Sequence, residues 1–162
     1  MKIGLLIVDM QINILEDKKQ IINVERACEY INHVANLLRS KDHVVIHIQD
    51  IEGASEASAE SIAIIPEIPV DPKDIRITKE HSNAFWNTEL EQILKSNDVG
   101  LVIVAGFAAE HCVLFTYNGA IERGFKTVIL QNGILSTKAD LLDLTYRDRN
   151  IISYPVIEFI TK

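Results

Sequence analysis

Residues 99–113 read Val99-Gly100-Leu101-Val102-Ile103-Val104-Ala105-Gly106-Phe107-Ala108-Ala109-Glu110-His111-Cys112-Val113. A β-branched apolar run with no polar alternation predicts a strand buried on both faces over residues 99–105. Gly106 interrupts it, and a helix is expected from about Glu110 to Arg123, closed by Gly124. The unit recurs outward along the chain. Residues 3–8 form another apolar run, followed by Val24, Ala27, Cys28, Ile31, Val34, Ala35 and Leu38 at the three- and four-residue steps of one helix face. Residues 44–48, 75–78 and 126–130 read as further strands, and 151–157 as a last one, with Pro155 marking a sheet edge. Helices are expected over 88–94, with Thr88 as N-cap, and over 139–148. Residues 50–74 carry Pro66, Pro69 and Pro72 and read as a loop with at most a short helix. Strand and helix alternating in this way predict a single domain, residues 1–162. Its fold class is a three-layer α/β/α sandwich around a mostly parallel, Rossmann-like sheet of about six strands.

The bulk composition narrows the function. Of 162 residues, 48 % are apolar and 24 % charged, a globular profile, and the formal net charge is −7. An acidic chain with scattered Lys and Arg opposes binding to phosphate backbones, so nucleic acid is not an expected partner. There is no basic amphipathic stretch to suit an anionic membrane and no apolar run long enough to span one. The apolar start ends at Asp9, too short for a signal sequence. The two cysteines, Cys28 and Cys112, read as cytosolic thiols, so a cytoplasmic location is expected.

In parallel sheets, ligands bind beyond the C-terminal strand ends, where strand order reverses. Three reactive side chains fall at such positions: Asp9, Lys79 and Cys112. Their chemistry is complementary. A thiolate is the nucleophile, and the first turn of a helix favours an anion. Asp9 could take the thiol proton and return it to a leaving amine. Lys79 would hold Asp9 ionised and add positive potential that favours the thiolate. Backbone N–H groups of Ala108 and Cys112 could form an oxyanion hole.

Three segments in order resemble the isochorismatase-like cysteine hydrolases, a superfamily that includes nicotinamidases, N-carbamoylsarcosine amidohydrolases and isochorismatases. They are residues 5–11, ending in Asp9-Met10-Gln11; residues 79–90, with Lys79, Phe85, Thr88 and Leu90 at the pattern's fixed positions; and residues 104–113, with Gly106 and Cys112. The resemblance implies an Asp9-Lys79-Cys112 triad and a non-proline cis peptide joining Phe107 and Ala108. It implies C–N cleavage of an amide or ureido compound through an acyl-enzyme, and a homo-oligomer. Substrate contacts are expected from Gln11, which could orient Asp9 or a substrate amide, and from Phe85, Trp86 and His111.

Departures from the pattern matter too. Ala109 stands where many relatives carry Thr, and Asn132 where an Asp often follows the next strand. Nicotinamidases place a metal-binding Asp-x-His after the second strand; here that region is Asp50-Ile51-Glu52-Gly53, with no histidine between His47 and His81. No metal and no cofactor are therefore expected. Isochorismatases proper lack the cysteine, so its presence favours C–N over vinyl-ether cleavage. The competing expectation is a non-catalytic or redox-sensing α/β module that keeps fold and thiol without turnover.

Overall fold

In the computed structural model, which describes residues 1–54 and 59–162, six parallel strands form one sheet in the order β3-β2-β1-β4-β5-β6. The strands are β1 (Lys2–Val8), β2 (Val44–Asp50), β3 (Ile75–Lys79), β4 (Val99–Phe107), β5 (Lys126–Leu135) and β6 (Ile151–Ile152). The helices are α1 (Ile12–Leu15), α2 (Val24–Ser40), α3 (Leu90–Ser96), α4 (Cys112–Glu122), α5 (Ala139–Asp148) and α6 (Tyr154–Ile160). Strands progress one way from β1 to β3 and the other way from β4 to β6. The reversal lies between β1 and β4, where a doubly wound sheet opens its crevice.

Burial follows the predicted pattern. Leu5, Leu6, Val102, Ile103 and Val104 are sealed on both faces of the central strands. On one face, the Ala27, Ile31, Val34 and Leu38 stripe of α2 packs with Ile157 of α6 over Leu5 and Ile103. On the other, Leu90 and Leu94 of α3 and Val113, Tyr117 and Ala120 of α4 cover Leu6, Val102 and Val104. Among the described residues no helix is long and apolar enough to cross a membrane.

Two expected elements change. Residues 151–157 are not one strand: β6 stops at Ile152, and Tyr154–Ile160 is helical with Pro155 in its first turn. Proline suits that position because the first N–H groups of a helix lack an intrahelical acceptor, so the absent donor costs nothing. Thr88 does not occupy the N-cap of α3; Glu89 does, without a side-chain cap. The Thr88 hydroxyl instead donates to Ala84 O at 2.5 Å and accepts from Leu90 N at 3.3 Å, tying the preceding turn to the helix start. Of the expected 50–74 loop, Asp50 closes β2, and the described residues after it contain no helix or strand beyond an isolated bridge of Ile64 to Gln11; residues 55–58 fall outside the description.

Candidate active site

Each strand end supplies one group. β1 ends at Val8, and Asp9 turns the chain through a left-handed conformation at φ 53°, a region Asp tolerates better than most residues. Next to it, β4 carries Gly106 opposite Val8. A Cβ at Gly106, which has φ +112°, would stand 2.0 Å from Val8 O, so only glycine lets the two strands close here. The Phe107–Ala108 peptide that follows is cis. The next turn is held by Ala109 N–H to Leu135 O at 2.8 Å, His111 N–H to Ala108 O at 3.0 Å and Val113 N–H to Ala108 O at 3.1 Å. None of these bonds uses the N–H of Ala108 or Cys112. Cys112 is the first residue of α4 and is partly exposed.

Lys79 joins these groups. Its side chain is sealed from solvent, and its ammonium lies 3.1 Å from Asp9 Oδ2, 2.6 Å from Asp50 Oδ2 and 3.4 Å from Cys112 Sγ. The ammonium donates hydrogen bonds to Asp50 Oδ2 and Cys112 Sγ and forms an ion pair with Asp9. Asp50 was not among the expected site residues. Its strand β2 pairs with β3 so that Asp50 lies opposite Lys79, which places carboxylate and ammonium side by side. One Asp9 oxygen, Oδ1, is buried with no hydrogen-bond partner.

Electrostatics set the resting state of the thiol. Lys79 does draw the Cys112 thiol down, as expected, but burial first and the Asp9 charge next outweigh it and push the thiol up to about 12. Burial also raises Asp9 to about 6, although Lys79 and the neighbouring thiol draw it down and Asp50 adds to the rise. For Lys79, burial favours the neutral amine, but Asp9, Asp50 and Cys112 outweigh it and hold the group above its ordinary value. At neutral pH the resting site is thus a protonated thiol, an ionised Asp9 and an ammonium.

By spacing alone, ligand atoms of Asp9, Asp50 and Cys112, all within 4.8 Å of one another, could surround a metal ion. The Lys79 ammonium sits within contact of all three, where a cation would go, and no histidine joins the set. The donor set does not fit a nicotinamidase-type metal site.

The expected substrate contacts divide. Trp86 is 56 % exposed and lines a hollow of about 280 Å³ with Lys79 and His81. His111 is exposed at the N-cap of α4, beside Cys112. Gln11 and Phe85 are committed to the protein instead. Gln11 is fully buried; its amide N–H donates to Asp50 O and Ile62 O, each at 3.0 Å, and its oxygen accepts from Asp50 N at 2.6 Å. It orients Asp50, through the backbone. Phe85 is core, stacked on Phe125 at 6.2 Å with the Arg123 guanidinium 5.0 Å from its ring centre.

A doubly wound parallel sheet with a thiol at the start of the helix beside its switch point, and a buried acid–lysine pair against that thiol, defines an α/β protein of the cysteine-hydrolase type. The chain belongs to the isochorismatase family: the sequence profile of the isochorismatase domain matches residues 4–149. The isochorismatase family protein YrdC of Bacillus subtilis (strain 168) is 31 % identical over 137 residues, which is 81 % of this chain and 72 % of that one. An isochorismatase-like hydrolase from Alkaliphilus metalliredigens superposes with a TM-score of 0.86 at 17 % identity, covering 99 % of this chain and 97 % of the other. N-carbamoylsarcosine amidase from Thermoplasma acidophilum shares the fold with a TM-score of 0.80 at 19 % identity, over 94 % and 95 % of the two chains.

Proposed function

We propose that this chain hydrolyses the C–N bond of a small amide or ureido compound, with Cys112 as nucleophile, Asp9 as general acid and base, and Lys79 as the group that holds both. The observation that carries the reading is the convergence of Asp9 Oδ2 and Cys112 Sγ on one buried ammonium, at 3.1 and 3.4 Å. The presence of an amidase among proteins of the same fold supports it.

The proton inventory gives the order of events. Because the resting thiol keeps its proton, attack and deprotonation are coupled. Cys112 Sγ bonds to the carbonyl carbon as its proton passes to Asp9. The carbonyl oxygen becomes an oxyanion against the N–H groups of Ala108 and Cys112, which the turn leaves out of its own hydrogen bonds. Asp9, with an affinity for protons near pH 6, gives the proton to the departing nitrogen, and the C–N bond breaks. Water then adds to the thioester, loses a proton to Asp9, and the acid leaves as Cys112 takes that proton back. Lys79 stays protonated throughout.

The redox-sensing alternative needs a resting thiolate, because sensor cysteines are low-pKa thiols. A thiol near 12 opposes it. The test is ammonia release from a panel of small primary amides and ureido compounds by the unmodified protein and by Cys112→Ala. Release that vanishes in Cys112→Ala, with an unchanged melting temperature, supports the mechanism. Equal release by both removes it.

A further inference from the structure

The charge around the thiol restricts what can approach it. Asp9 and Asp50 outnumber Lys79, whose ammonium is already engaged by both and by the thiol, so the cluster carries a net negative charge at neutral pH. Two hollows flank this cluster, each bordered by one of its members. One, of about 280 Å³, is bordered by Lys79, Glu80 and Trp86; the other, of about 360 Å³, by Asp50 and Glu52. Among the described residues lining them, Lys79 is the only lysine or arginine. The whole sequence repeats the pattern: it has no Lys or Arg between Lys41 and Lys73, between Lys79 and Lys95, or between Lys95 and Arg123. Those intervals include the loops that leave the C-terminal ends of β2, β3 and β4. Lys73, just before β3, lines a separate hollow with Lys2 and Asp42 at the opposite, N-terminal ends of the strands. Lys138, on the loop after β5, lines neither hollow at the cluster.

Two buried acceptors point to what the site receives. Asp9 is 2 % exposed and its Oδ1 has no partner; Glu110, two residues before the nucleophile, also has a buried carboxylate oxygen, Oε2, without one. Buried acceptors left open require donors or positive charge. The exposed indole of Trp86 adds an electron-rich face of the kind that attracts cations. A substrate carboxylate would meet no free cation at the cluster and would face at least two acids.

We propose that the site selects amides by charge, taking those that carry an ammonium or other positive group in preference to their carboxylate-bearing counterparts. This rests on the amidase reading for the word amide, but the charge selection itself belongs to the charged groups around Cys112. The experiment has two arms for that reason. In the first, the intact protein is treated with three methanethiosulfonates, bearing a trimethylammonium, a methyl or a sulfonate group, and labelling of Cys112 is timed by peptide mass spectrometry. Rates are divided by those of the same reagents with 2-mercaptoethanol. Cys28, 3 % exposed in the core, does not compete.

The cationic reagent is expected to exceed the anionic one by about tenfold or more at low salt, and the ratio to shrink in 1 M salt. Glu52→Gln with Glu80→Gln should reduce the ratio further, since both acids border the hollows. An anionic reagent that labels as fast as the cationic one overturns the proposal. In the second arm, ammonia release is compared for β-alaninamide, propionamide and succinamate, which differ mainly in terminal charge. Faster release from β-alaninamide than from succinamate supports the selection, and the reverse order overturns it even if hydrolysis occurs. If none of the three is hydrolysed but the labelling ratio holds, the amidase reading is what fails and the charge selection stands.

Discussion

Asp9 and Asp74 are both nearly sealed from solvent, with side chains 3 % and 1 % exposed, yet their protonation is driven in opposite directions. Asp74, just before β3, accepts from Arg39 Nε at 3.0 Å and Nη2 at 2.5 Å, from His47 Nε2 at 2.8 Å and from Asp71 N–H at 3.0 Å. Burial pushes its carboxyl up, but these partners together outweigh burial and hold it below the usual carboxylate range. Asp9 has Lys79 on one oxygen and nothing on the other, and burial wins, lifting it to about 6. Asp9 is the more heavily desolvated and the less partnered of the two, and both differences push its carboxyl above that of Asp74. His47 belongs to the first kind of cluster, since burial keeps it below its ordinary value despite the Asp74 contact.

Substitutions break this contrast in order of size. Cys112→Ala is expected to lower kcat/KM by about 10⁴-fold or more with folding intact, read by ammonia release and thermal melting. Asp9→Asn keeps the shape but removes proton transfer, and a loss of about 10³-fold is expected in the same assay. Asp74→Ala should do the reverse: turnover per folded molecule is retained, while about 3 kcal/mol of stability is lost in urea denaturation, because Arg39 loses its carboxylate, keeping only Asn36 and Pro69 O, and buried His47 loses its partner. The pH dependences also differ in sign. Asp9 acts as a base, so kcat/KM should rise with pH through about 6 and level off above it. Asp74 has a depressed folded value, so its contribution to stability is complete above the ordinary carboxylate range and is lost as pH falls below it. The smallest effect is expected from Asp50→Asn. Removing a negative charge that raises Asp9 should move the acid limb of the kcat/KM profile to lower pH, a shift that the full pH series would detect.

The positions of Asp9, Lys79 and Cys112 were legible in the sequence because a rule about strand ends applies before any contact is known. Asp9 directly follows one strand run, Lys79 closes another and Cys112 lies just past a third, and the topology then brings those ends together. Asp50 ends its strand in the same way, but its role depends on the β2–β3 register that sets it opposite Lys79, and hydrophobic periodicity does not encode register. The high thiol value was hidden for a different reason: burial, its largest cause, depends on how the strand ends pack around Cys112 and is not written in the spacing of Asp9, Lys79 and Cys112. Gln11 and Phe85 carried the family pattern but not its reason. Their conservative-looking positions serve the backbone of Asp50 and the packing of Phe125, which only three-dimensional neighbours disclose. Pro155 was ambiguous in principle, since the missing N–H suits a sheet edge and a helix start equally.

The chain holds a single tryptophan, Trp86, and it stands half in solvent in the hollow beside Lys79. Its fluorescence therefore originates in the hollow that borders Lys79, with no second indole elsewhere to dilute it. Excited beyond the absorption of the tyrosines, the unmodified protein carries its own optical reporter of occupancy. A compound that enters the hollow should alter that emission whether or not it is ever hydrolysed, so candidate substrates and inert analogues can be ranked by titration alone.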